Sequence, residues 1–394
     1  MTVRVNKPSF NIREKLSELG RKFGLKGSEL AAAETVQEAR DIVSAGRKNM
    51  VINGAMRVAQ RGTSATSIGT AVAYNTVDRW RFADSQNPSA RFTQTQSTDA
   101  PPGFGNSHKF EVTTTTTSVT ASQMQYTDQF IEAQDLQSLA YGTSNAKKIT
   151  LSFWVKSSVA QTFGVGLSHE DGGGSYGVSY TVNSADTWEY KTLTFNGNTS
   201  TAINNDNGRG LRVRFGLSAG SNNVNGSDAT SWTGAVFGQH DNGWLSTSGA
   251  TWQITGVQLE VGRNATEFEH RPYGEELALC QRYYEKFSAD CGNGGYATVF
   301  MASKHNNTVI VAQPIFRVPK RETDATMSWA GDFRMYNHAI GSDITMSSVN
   351  NSQLSTHGGY VVINISSNTM ANGDAYRVEG RGDTSAYVAF SSEL

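Results

Sequence analysis

The chain has 394 residues, 18% of them charged, with 34 basic against 35 acidic side chains and a formal charge of −1. That balance supplies no field for nucleic acid or an anionic membrane surface, and no window reaches the ~18 uncharged apolar residues of a membrane span. With 39 glycines, only 7 prolines and plentiful Thr, Ser and Asn, the composition favours short strands and tight turns over helices, and the length accommodates two or three domains.

Residues 1–10 read as an extended arm. Asn11 caps a predicted helix running to Phe23, with Ile12, Leu16, Leu19 and Phe23 on one stripe and Gly24 as its stop. Thr35 and Glu38 form a capping box for a second helix that ends at Gly46. Two small amphipathic helices on a polar arm cannot build a core alone, so 1–46 is an expected docking or oligomerisation segment.

From Met50 the pattern becomes extended. Residues 51–58, 77–83, 90–95 and 110–119 read as strands, separated by a Gly/Ser/Thr turn zone and by a loop holding Pro101, Pro102, Gly103 and Gly105. Residues 127–141 have room for one short helical turn. Residues 149–155 alternate apolar and polar for most of their length, and 163–167, 176–182, 188–195, 211–217 and 252–261 follow between Gly/Asn/Asp/Ser clusters. Strands at this spacing predict an antiparallel two-sheet sandwich or jelly roll. Trp154, Trp188 and Trp252 fall within strands and read as core.

Pro272 keeps Arg271 extended, and after Gly274 a run of helix formers, 275–286, carries Glu275 and Glu276 in its first turn and Lys286 in its last. Leu277, Cys280, Tyr284 and Phe287 recur at spacings of three, four and three, a short apolar seam. Such a helix is marginal alone; it needs either the flanking domain or the same helix of sister subunits. Beyond it, 296–302, 308–312, 325–330, 359–365 and 386–390 again read as strands. The expected fold is therefore mainly β: a short N-terminal helical segment (1–46), a central antiparallel β-sandwich (47–272), a linker helix (273–287) and a smaller C-terminal β domain (288–394).

Motifs that suggest chemistry do not fit their context. The glycines of 172–177 match dinucleotide spacing, but a strand follows them instead of a helix, so they read as a hairpin loop. Ser218 has nucleophile-elbow spacing, yet a polar loop follows Gly220. His169, Glu170 and Asp171 offer oxygen ligands without EF-hand spacing and read as a solvated turn. The seven histidines never fall at zinc spacing. Cys280 and Cys291 are too few for a disulfide framework and are expected reduced. No cofactor and no metal are expected, and no residue is singled out as catalytic. Sugar recognition requires aromatic faces beside Asn, Asp and Gln. Trp232 and Trp244 in the loop 221–249 have that company, although a fold-back into the loop's own core is the weightier reading; Trp329, Tyr336 and Tyr360 sit among polar residues further on.

The run ITGVQLEVG (254–262) with FEHRPYGEELALCQRYYEKF (268–287), and NMVINGAMRVAQRGTS (49–64) with YNTVDRWRF (74–82), resemble a module of bacteriophage tail fibres and other tail-associated structural proteins. Together they frame roughly residues 47–287. The layout of the strands is also similar to the jelly roll of carbohydrate-binding modules. The resemblance implies a non-enzymatic, trimeric virion protein, assembled in the host cytoplasm and located in the virion tail. Ile12, Leu16, Leu19 and Phe23 would then attach it to tail or connector proteins, and trimerisation would bury Leu277, Cys280, Tyr284 and Phe287. The distal domain, with Trp329, Tyr336 and Tyr360, would bind a host surface polysaccharide. Two alternatives remain open at this point: a capsid or connector decoration (head-fibre) protein, and a polysaccharide depolymerase, which the lack of a repetitive β-helix pattern disfavours.

Overall fold

A computed structural model describes residues 47–232, 234–289, 296–337, 341–350, 353–365 and 374–394. The two expected N-terminal helices, with Ile12, Leu16, Leu19 and Phe23, lie outside the described residues, as does Cys291.

Two antiparallel sheets pack face to face. The first has six strands in the order β1 (Ser64–Ile68), β3 (Arg91–Ser97), β4 (Ser107–Thr114), β11 (Thr251–Val261), β6 (Ile149–Ser157), β9 (Glu189–Phe195). The second has five: β2 (Arg81–Ser85), β5 (Met124–Glu132), β10 (Arg209–Ala219), β7 (Thr162–His169), β8 (Gly174–Thr181). Alternation dictates the core. Ile149, Leu151, Phe153 and Val155 of β6 and Leu211, Val213, Phe215 and Leu217 of β10 are all fully buried between the sheets, with Trp252 among them.

Three expectations for this region change. Residues 51–58 form a turn instead of a strand: Asn53 and Met56 have φ of 57°, and the Asn53 side chain accepts from Val58 N–H (3.0 Å) and donates to the carbonyls of Val58 and Asp78. Part of the expected turn zone is strand β1. Residues 124–132 are strand β5, and the short helical turn expected within 127–141 follows it as a 3-10 helix at Ala133–Leu139. β5 lies inside the sheet and is buried on both faces, so its inward Gln125 and Gln129 satisfy themselves on loop carbonyls of Ala90 and Ile52 and erase the period-two signal.

The linker is the largest correction. The helix α1 spans Tyr273–Gln281 only, and Tyr284 and Phe287 belong to a strand, β12 (Tyr284–Ser288), paired along its length with β22 (Tyr387–Ser391). Leu277, Cys280, Tyr284 and Phe287 therefore form no helical seam. Helix propensity yields here to ladder hydrogen bonds from a strand a hundred residues away. Cys280 is buried and free. α1 finds its partner in its own chain: Glu276 accepts from Asn53 N–H (2.6 Å) and Arg271 (3.3 Å), and just beyond the helix Arg282 and Tyr283 both bond Glu132.

The distal region has two parts. β12, β22 and β15 (Thr326–Ala330) make one sheet. The other part is a closed barrel of β13 (Thr298–Asn306), β14 (Val309–Ala312), β20 (Val361–Ile365), β17 (Ser342–Asn350), β16 (Phe333–Asn337) and β21 (Ala375–Gly380), with a small hairpin of β18 (Leu354–Ser355) and β19 (Gly358–Gly359). Closure removes free edges. This unit is tied to the sandwich by the buried Arg79–Glu393 pair, by Arg321 donating to the carbonyl of Asn207, and by Tyr283 and Leu394 packed on Phe130.

Candidate functional site

The predicted aromatic residues separate into two groups. Trp244 is fully buried, stacks on Phe92 (5.5 Å, 20°) and donates to the Leu217 carbonyl at 2.9 Å. Trp232 is almost as buried, donating to Asn196 O at 2.7 Å against Tyr141 and Tyr176. Both are core, which removes them as a sugar platform. Trp329 and Tyr360 are each 36% exposed, while Tyr336 lies half-buried beneath Arg334, whose guanidinium carbon is 4.7 Å from the ring centre. The three occupy separate elements: Trp329 is on β15 against Phe333, Tyr336 on the barrel strand β16, and Tyr360 at the entry to β20.

The loop 221–249 lies across the outer face of the five-stranded sheet. Gly164, Gly166, Gly177 and Gly216 clear its path: a Cβ on Gly164 would stand 2.6 Å from Phe237, and one on Gly177 2.6 Å from the Ala235 carbonyl. His240 completes the cover, its Nδ1 accepting from Gly164 N–H at 3.0 Å. Burial pulls the His240 imidazole down to about 4, so it is neutral in its site.

The outer face of the six-stranded sheet is covered by residues 262–269 at Thr150, Gln258 and Glu260 and is open around β9, where it is differently furnished. Since Phe153 and Val155 point inward, Trp154 and Lys156 point out, beside Ser152 and Thr150. The pairing of β6 with β9 sets Trp154 opposite Tyr190, with ring centres 5.4 Å apart; Tyr190 is 44% exposed. On one side of this pair, Asp99 accepts from Lys156 Nζ (2.7 Å), Gln253 Nε2 (3.1 Å) and Trp188 Nε1 (3.2 Å). Burial works against ionisation of Asp99, but these bonds outweigh it and hold its carboxyl below the usual range. On the other side, Phe104, Phe268 and His270 form a ring triad with centres 4.9–5.2 Å apart. Gly256, at a bulge in β11 with φ of 61°, joins the two groups: a Cβ there would lie 2.7 Å from Phe104 and 3.1 Å from Trp154.

This arrangement offers the exposed ring of Tyr190 and the half-buried ring of Trp154, flanked by a carboxylate and an ammonium held in fixed positions over the buried Gln253 amide. Apolar C–H faces can stack on the rings while hydroxyls exchange hydrogen bonds at the rim. Trp154 and Trp188, expected in the core, are thus at the surface, and only Trp252 is buried as expected. Hydropathy hides this, since Phe153, Trp154 and Val155 are all apolar, but the period of two along a strand puts Trp154 on the face opposite Phe153. Asp99, Phe104, Phe268 and His270 come from loops whose convergence no local pattern announces.

The catalysis-like motifs stay structural. Gly172–Gly177 belong to the β7–β8 hairpin, where His169 pairs with Gly174. Ser218 lies buried within β10, 3.2 Å from Gln125 Oε1. Asp171 accepts from the backbone and side chain of Asn204, and Glu170 pairs with Arg212 at 2.8 Å. Among the described residues, no three His, Cys, Asp or Glu side chains come together as a metal site.

No protein-family model and no curated protein matches the chain. Solved structures with similar folds include the enzymatically active domain of tailspike protein 4 of bacteriophage CBA120 (14% identity over 54% of this chain, TM-score 0.28), of which the match spans 21%. Two others are TmCBM61 in complex with β-1,4-galactotriose (9% identity, 55% of this chain and 100% of that one, TM-score 0.29) and a family 11 carbohydrate-binding module from Clostridium thermocellum in complex with a β-1,3-1,4-mixed-linked tetrasaccharide (12%, 53% and 98%, TM-score 0.26). TM-scores below 0.3 over half the chain are too loose to assign a function from any of them.

Proposed function

We propose that this chain is a non-catalytic glycan-binding structural protein of a phage virion, a tail fibre or spike, and that the open face of its six-stranded sheet contacts the sugar. One observation carries the binding reading: Trp154 and Tyr190 lie side by side at the surface, bordered by the Asp99–Lys156–Gln253 network. The virion role draws on the spelling of 49–64, 74–82, 254–262 and 268–287, which resembles tail-associated proteins. In this reading, residues 1–46 attach the chain to tail or connector proteins and several copies assemble, a trimer being the form the resemblance implies. Weak sites on one rigid oligomer then gain about 10²–10⁴ in avidity. Of the four residues expected as a seam, Cys280 and Tyr284 are buried inside the chain while Leu277 and Phe287 are half-buried, so no four-residue helical seam is available for assembly.

A glycan-array screen on the purified chain, repeated with Trp154→Ala, tests the binding. Hits that vanish in the variant support the face; hits unaffected by it, but lost on removing Trp329 or Tyr360, would move the contact to the distal unit. Immunolabelling of intact particles separates the tail position from a capsid decoration. Release of reducing sugar from host capsule would instead establish a depolymerase.

A further inference from the structure

The outer face of the five-stranded sheet, beside the strip that the loop 221–249 covers at Gly166, holds a group of arginines that the sugar-binding reading does not use. Strand register places Arg81, Asp128, Arg214 and Gly166 in one row and Phe130, Arg212 and Ser168 in the next. Arg81 grips Asp128 through Nε and Nη2 at 2.9 and 2.7 Å, and Arg212 holds Glu170 at 2.8 Å. Arg81, Arg209 and Arg212 stand 4.6, 4.3 and 4.9 Å from the centre of the Phe130 ring, and Arg214 stands 4.7 Å from that of Tyr126. Four guanidiniums thus face two carboxylates, and both carboxylates are already engaged.

Arg209 and Arg214 are the two cations left over, and of these Arg209 is exposed to solvent while Arg214 is buried. Arg214 is 3% exposed, its Nε is buried with no acceptor, and among the described residues no carboxylate pairs with it. Its opposite neighbour Asp128 is turned to Arg81, and its neighbour on β7 is Gly166, which has no side chain to offer. Burial first, and Arg212 second, pull the Arg214 guanidinium down to about 10, so it still carries its charge at neutral pH. A desolvated cation without a counter-charge is costly, and tyrosine stacking offsets only part of that cost. The fork geometry of a guanidinium is matched by a planar or tetrahedral oxyanion.

We propose that Arg214, with Arg212 and Arg209 beside it, binds an oxyanion: a carboxylate, sulfate or phosphate group, either free or borne on an acidic sugar. The site lies on the sheet opposite Trp154 and stands whether or not that face binds glycan.

The test titrates the full chain at low ionic strength with sodium sulfate, inorganic phosphate and glucuronate, read by calorimetry and by thermal shift. Near-stoichiometric binding is expected, weakened at least about 10-fold in Arg214→Met. Because that variant removes an unpaired buried charge, it is expected to melt at or above the temperature of the parent, which a merely structural arginine would not allow. Neutral-glycan binding, measured in parallel, stays unchanged. Should Arg214→Met fail to fold, Arg214→Lys keeps the charge, loses the fork and is expected to weaken the same anions. Glucuronate binding more tightly than sulfate assigns the site to an acidic sugar, whereas equal affinities assign it to a free oxyanion. Absence of binding by the parent, or equal binding by both variants (an adventitious ion only), overturns the proposal.

Discussion

The two outer faces of the sandwich show how one architecture makes a surface and a core from the same strand geometry. On the five-stranded sheet, Gly164, Gly166, Gly177 and Gly216 remove side chains so that the chain's own loop, led by Phe237 and His240, can lie directly on the backbone. On the six-stranded sheet outward positions of β6 and β9 keep large side chains, Trp154 and Tyr190, and Tyr190 stays 44% exposed. Glycine outward means the face is covered; tryptophan outward, beside a fixed Asp–Lys–Gln network, means it is available.

The sharpest way to break this contrast is to compare two tryptophans. Trp244→Ala empties a fully buried site and is expected to cost about 3–5 kcal/mol in chemical denaturation, against less than about 1 kcal/mol for Trp154→Ala. Similar costs for both would mean that Trp154 is core after all. Next comes acid. The unfolded His240 titrates near 6.5 and the folded one near 4, so below pH 6.5 the unfolded chain takes up a proton that the folded chain refuses. Stability is present above pH 6.5 and is lost as pH falls toward 4, by about 1.4 kcal/mol per pH unit and about 3 kcal/mol in all. His108, depressed by burial to about 3, acts in the same direction. Measuring stability against pH for His240→Asn should show the slope reduced by about one proton; an unchanged slope would mean that the loop does not bury this imidazole.

Smaller effects test the glycine path and the open face. Gly166→Val pushes a side chain into the carbonyl of Val236 and is expected to destabilise by about 2 kcal/mol, with faster proteolysis in 221–249, whereas Thr192→Val, at an exposed position of β9 on the other sheet, is expected to change stability by less than about 0.5 kcal/mol. If both are silent, the loop does not rest on the sheet. The smallest expected effect is also the functional one: Tyr190→Ala weakens glycan binding about 10-fold, or about 1.4 kcal/mol, with the melting temperature unchanged.

Much of the fold was legible in the residues. The alternation of 149–155, 211–217 and 252–261 identifies inner-sheet strands, and the Gly/Asn turns between strands suit an antiparallel sandwich. The site was far less legible. Trp232 and Trp244, set among polar residues in a long loop, look like a binding surface in one dimension, but the loop turns them inward. Trp154 looks like core because it sits in an apolar strand, yet parity points it outward. The seam of Leu277, Cys280, Tyr284 and Phe287 has helical spacing, but the pairing of β12 with β22 interrupts it, and no window of sequence around residue 284 contains that partner.

By itself, then, the amino-acid sequence determined strands such as 149–155, 211–217 and 252–261 and which side of each is apolar, because alternation and turn chemistry act within a few residues. Only the tertiary structure decided which of the two outer faces would be covered, where the linker helix would stop, and that Asp99, Lys156, Gln253 and Trp188 would meet. Those outcomes depend on contacts between residues a hundred or more positions apart, whose free energies exist only once the chain has folded.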